Sequence, residues 1–189
     1  MTKLTIPTAK KATVFNALKT ANTAFNMIYR GEREDRQAIH TVYGGANLFK
    51  YNTAQALSDI ALQSLMQYAP NFAEFGSAFQ LKGHEYLPSG ESEQQALAAA
   101  LDQLPDEALK QHPAGFSYRI YKKVIAKLKK EGVEDFRIDF EDGYGNRPDE
   151  EEDQTAVSAA REVARGMAEN TLPPFIGIRI KPFTEELKE

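Results

Sequence analysis

Three carboxylates crowd one short stretch, Asp139-Phe140-Glu141-Asp142, and a lone arginine, Arg179, interrupts the later apolar run FIGIRI. Carboxylates this close together can pass a proton, or orient a water or a catalytic partner. An arginine inside an apolar strand must be paired, because an unmatched guanidinium is too costly to bury. Two partners suit it: a carboxylate on a neighbouring strand, or the carboxylate of a substrate gripped two-pronged. Spacing alone leaves both open.

The acidic turn has four readings. It is an exposed charged loop, a calcium loop, a phosphate-cradling glycine loop, or the edge of an active site. The calcium pattern fails because Tyr144 stands where the loop needs glycine. Gly143-Tyr144-Gly145 does not complete a phosphate fingerprint, and the flanking carboxylates would repel the anion. The other candidates are weaker. His40, His84 and His112 have no ligand spacing, Ser117 and Ser158 lack a nucleophile's partners, and the lysines of 122–130 read as a solvated helix face.

The elements that must position these residues follow from periodicity. Phe136, Ile138 and Phe140 alternate with Arg137 and Asp139, which predicts a strand entering the acidic turn. A β-rich run at 38–43 stops at Gly44-Gly45 and predicts a second strand-to-loop junction, and 175–180 predicts a third strand. Helices are predicted over 7–29, 54–68, 116–131 and 148–169, the last with acidic residues in its first turn, as the helix dipole favours. Thr8 is a capping residue for the first of them. Residues 69–115, punctuated by proline and glycine, read as an insertion of short helices and loops, with 92–103 looking helical. Thr184-Glu185-Glu186-Leu187 looks like the start of a further helix.

Alternation of strand and helix argues for an α/β protein with a parallel sheet. Strands 39–43, 136–140 and 175–180 are expected to lie side by side, with the glycine and acidic loops at one end. The domain reading is an N-terminal helical extension, 1–36, followed by 37–189. Lys and Arg number 23 against 27 Asp and Glu, a formal net charge of -4, which speaks against a nucleic-acid partner held by charge. Without cysteine there is neither a disulfide framework nor a Cys-ligated zinc site. No run has the length of a membrane helix and the first residues lack a signal-peptide core, so the expected compartment is the cytoplasm.

With FRIDFEDGYG and IGIRIK both in view, residues 38–66 and 118–183 resemble the citrate lyase β-subunit and HpcH/HpaI aldolase superfamily, in its aldolase/citrate-lyase-like branch. The resemblance implies a partial (β/α)8 TIM barrel, truncated after its first units, with an N-terminal helix and a helical insertion after the first βα unit. It implies a carbon–carbon lyase acting on a small oxo- or hydroxy-carboxylic acid through a metal-stabilised enolate. Asp139-Phe140-Glu141-Asp142 matches the D-x-E-D strand end, with Asp142 in place of the aldolase histidine. Arg179 then grips the substrate carboxylate and enolate oxygen, while Tyr43, Gly44 and Gly45 line the substrate. That loop lacks the family's coenzyme A-binding arginine. Magnesium or manganese is the implied ion, with ligands from later strands and none within this chain. The fragment is therefore expected to be inactive alone and to pair with the missing barrel portion or a second copy. The alternatives are a non-catalytic barrel fragment that binds a metabolite or partner, and a phosphoenolpyruvate- or pyruvate-handling enzyme that is not a lyase.

Overall fold

A computed structural model describes residues 7–32 and 34–185 of the 189. Its centre is strand β2, Asp135–Asp139, whose Phe136 and Ile138 point to one face and Asp135, Arg137 and Asp139 to the other. Strand β1, Thr41–Gly45, and strand β3, Phe175–Arg179, flank it in parallel, in the order β1-β2-β3. The register sets Gly45 beside Asp139 and Asp139 beside Arg179. All three carboxyl ends therefore sit together, as the shared strand-then-turn pattern predicts. The first strand starts two residues later than expected and includes both glycines.

Helices α2, Thr53–Tyr68, and α7, Asp149–Glu169, cover the apolar face of the sheet. Ala54 and Leu57 of α2 and Ala159 and Val163 of α7 pack with Phe136, Ile138, Phe140, Phe49 and Ile176 in one cluster. Gly166 lets α7 close onto Leu172, and the Thr171 hydroxyl donates to the Tyr51 carbonyl at 2.5 Å, fastening the turn into β3.

A second cluster holds residues 69–131. Short helices α3, Phe72–Ala78, α4, Glu91–Asp102, and α5, Asp106–Gln111, pack around the longer α6, Gly115–Glu131. Phe72, Phe75, Leu101, Leu109, Tyr118 and Tyr121 form its interior. The region read as an insertion of short helices and loops does hold three short helices, and with α6 they form a layer with a core of its own. Asn71 caps α3 by accepting from the Ala73 and Glu74 amides, both at 3.0 Å.

The chain divides into two compact units, Met1–Gln37 and Ala38–Glu189. In the first, helix α1, Thr8–Ile28, has Pro7 at its N-cap position and no side-chain cap. The further helix expected from Thr184 falls largely outside the described residues, which end at Glu185.

The expected partial (β/α)8 barrel is overturned, and with it the assignment to the citrate lyase/aldolase superfamily. Among the described residues the fold is seven helices and one three-stranded sheet, which is open: β1 and β3 each pair only with β2. The physical reason is that strand–turn–helix periodicity fixes local parallel pairing and which face is apolar. Closure depends on strand number, tilt and stagger, and no local repeat carries these.

Candidate functional site

Asp139 closes β2 and is 2 % exposed, as deeply buried as the neighbouring Ile138. Its carboxylate survives there because the next residues fold back onto it. The amides of Glu141 and Gly143 donate to it at 2.8 and 3.1 Å. The same loop is tied by the Tyr144 and Gly145 amides, which donate to the Glu141 carbonyl at 3.1 and 2.9 Å. Gly145 has φ +76, a conformation that side chains disfavour. Tyr144 anchors the loop from beneath, buried at 4 %, its hydroxyl bonded to Thr155 at 2.9 Å and its ring against Phe140.

The two glycines that end β1 serve the same junction. A Cβ on Gly45 would collide with the Gly143 carbonyl oxygen, and one on Gly44 would lie 2.6 Å from the Phe136 ring. Gly45 therefore meets the acidic loop through bare backbone, while Gly44 makes room for the Phe136 ring.

Arg179 reaches over this junction from β3, and its carbonyl accepts from the Phe140 amide at 2.9 Å. Its guanidinium lies 3.4 Å from Asp139, 2.5 Å from Glu141 and 2.9 Å from Asp142. Its side chain is 35 % exposed, and its guanidinium carbon sits 5.5 Å from the centre of the Tyr43 ring. Partial burial works to lower its pKa. The Asp142 hydrogen bond and the charges of Glu141, Asp142 and Asp139 outweigh that and raise it, so the guanidinium stays charged.

The structure thus brings together Tyr43, Gly44, Gly45, Asp139, Glu141, Asp142 and Arg179 at one end of the sheet. The histidines are not brought there: the His84 ring contacts the Leu81 carbonyl, and the His112 ring accepts from the Ala114 amide. Ser117 is buried in the helical layer, with no hydrogen-bond partner for its hydroxyl among the described residues. Sequence reasoning missed the loop-building roles of Tyr144 and Gly143. The one signal was an aromatic residue alone in an otherwise polar turn. It also missed that Arg137 pairs with buried Asp135 at 2.8 Å, one pleat below the site.

The implied magnesium or manganese was expected to take its ligands from outside these residues. Asp139, Glu141 and Asp142 are turned onto a guanidinium, and no group of three His, Cys, Asp or Glu among the described residues could hold a metal ion. The metal-dependent lyase reading presupposed a barrel and a metal-stabilised enolate, and it falls with the open sheet. The barrel-based alternatives fall on the same ground. No helix among the described residues is long and apolar enough to cross a membrane.

A family model described as a domain of unknown function, DUF6986, matches residues 18–189. No curated protein and no solved structure matches the chain.

Proposed function

The chain belongs to the DUF6986 family, whose description assigns no activity, and we propose that its strand-end cluster binds a small carboxylic acid. The observation that carries this reading is a half-exposed guanidinium held over the carboxyl ends of three parallel strands, where open α/β sheets receive their ligands. Asp139 fixes Arg179 from below. Asp142, with its side chain 77 % exposed, is the partner most easily displaced, since exposed ion pairs contribute little. A ligand carboxylate taking its place gains a charge-assisted, two-pronged contact. Tyr43 offers a ring face beside it.

Charge narrows the ligand. One guanidinium faces three carboxylates, so a simple anion meets net repulsion. An acid with a hydroxyl or ammonium on the carbon next to its carboxylate can also donate to Glu141.

The test is an NMR titration of the full chain with lactate, glycerate and alanine, with acetate as the acid lacking a donor. Shifts centred on Tyr43, Glu141 and Arg179 are expected for the first three, and weaker ones for acetate. Arg179→Lys keeps the charge and loses the fork, so affinity should fall about tenfold or more. Unchanged spectra with all four acids, or equal affinity in the lysine variant, would sink the reading.

A further inference from the structure

A different surface, away from the strand ends, has the marks of an intermolecular contact. Between β3 and α7 lies an apolar groove of about 420 Å³, lined by Ile138, Phe140, Ala159, Ala160, Val163 and Ile178. Ile178 is 61 % exposed on the outermost strand of the sheet. The helix side of the groove is Ala156, Ala159 and Ala160 beside Val163, and the alanines let another helix approach closely. Seven carboxylates and only two arginines lie on α7, and Asp149 and Asp153 are exposed in its first turns.

Helix α1 is the complement in shape and charge. Val14, Leu18, Ala21, Phe25 and Ile28 recur at alternating steps of four and three, a seam for packing against another element. Val14, Leu18, Phe25 and Ile28 are at least half exposed. The seam carries large side chains where the groove offers small ones. The helix holds Lys10, Lys11 and Lys19 and no acidic residue, and Lys10 and Lys11 extend the seam at its N-terminal end. Both helices have 21 residues. A parallel pairing therefore lays Lys10 and Lys11 beside Asp149 and Asp153 while the apolar seam fills the groove.

We propose that this chain self-associates, with α1 of one copy seated in the β3–α7 groove of a second copy. The contact is between unlike surfaces, and it closes into a dimer when each copy gives its helix and receives the other's.

Sedimentation of the full chain between about 1 and 100 µM tests this directly. A concentration-dependent dimer is expected. Leu18→Asp with Phe25→Asp should weaken association at least about tenfold, as should Ala160→Arg in the groove. All three positions are exposed, so unit folding, checked by circular dichroism, should persist. The decisive arm is a charge exchange that leaves both apolar surfaces intact. Lys10→Glu with Lys11→Glu, and separately Asp149→Lys with Asp153→Lys, should each associate more weakly, and an equimolar mixture of the two should recover the dimer. A chain that stays monomeric throughout overturns the proposal, including the case where α1 is occupied within its own chain. So does a dimer indifferent to the α1 and groove substitutions, or a mixture that fails to recover.

Discussion

The sheet and the helical layer of residues 69–131 have apolar interiors of similar make-up, yet they treat charge in opposite ways. Glu134, Asp135 and Asp139 are all buried on or beside β2, at 2–3 % exposure. Each needs dedicated partners: Lys127 and the Ile39 amide for Glu134, Thr41 and Arg137 for Asp135, two loop amides and Arg179 for Asp139. The buried polar side chains of the helical layer are neutral. Gln94 donates to the Pro88 carbonyl at 3.0 Å and accepts from Asn71 at 2.9 Å, and Tyr121 donates to the Ala69 carbonyl at 2.8 Å. Charge in that layer stays on its rim, where Asp102 meets Tyr118 and Lys122. Neutral hydrogen bonds serve a scaffold well. A buried carboxylate is costly unless it is given partners, and β2 and its flank carry three where the helical layer buries none.

That contrast can be pressed hardest in the helical layer. Phe72 is 2 % exposed and packs edge-on against Tyr118 with ring centres 5.3 Å apart. Phe72→Ala should destabilise the protein by about 3–5 kcal/mol in urea unfolding. Under conditions where the variant remains folded, ligand-induced shifts at the strand-end cluster should be unchanged. A loss of those shifts in the folded variant would mean that the two regions do not divide the work as argued.

A smaller effect, on the other side of the comparison, is expected from Asp139→Asn. The shape is preserved, but the charge-assisted bonds from the Glu141 and Gly143 amides and from Arg179 weaken, costing about 1.5–3 kcal/mol. This loss should come with rearrangement of the 140–146 loop, seen as faster amide exchange at Gly143 and Tyr144. An unchanged loop would show that Tyr144 alone holds it.

The smallest expected effect lies on the rim of the helical layer. The Tyr118 hydroxyl, then the Lys122 ammonium, hold the Asp102 carboxyl below its ordinary value of 3.8. A lowered folded value means that its stabilising contribution is present above about pH 4 and is lost as pH falls through the folded value. The Lys122 ammonium is raised above 10.5, first by Tyr118 and then by Asp102, so its share is present below that pH and is lost above it. Asp102→Asn should lower stability slightly at neutral pH, by little because the group is exposed, and leave it unchanged at low pH, so that the acid limb below about pH 4 becomes flatter. An acid limb identical to that of the parent would remove Asp102 from the account.

Much of this fold was legible from periodicity. The alternation of Phe136, Ile138 and Phe140 with Arg137 and Asp139 located β2 to within a residue, because one face of the strand is apolar and the other is not. The step-of-four stripe Phe116, Ile120, Val124 and Leu128 located α6 equally well. The acidic turn and Arg179 stood out as candidate partners because a charge in an apolar run requires one. Residues 69–115 were the least legible. Helices as short as α3 and α5 show barely one turn of pattern, and their stability comes from packing on α6 rather than from their own propensity.

By itself, then, the sequence determined the parallel strands, the apolar face of each helix, and the clustering of Asp139, Glu141 and Asp142 where a strand meets its loop. All of these are set by residues within a few positions of one another. The tertiary structure decided the rest: that the sheet stays open, that Gly45 and Gly143 touch through backbone, that Arg179 turns onto three carboxylates, and that α7 leaves an apolar groove beside β3. Those features join residues far apart in the chain. They depend on the stagger of strands and the packing of whole faces, and no short-range pattern of side chains encodes either.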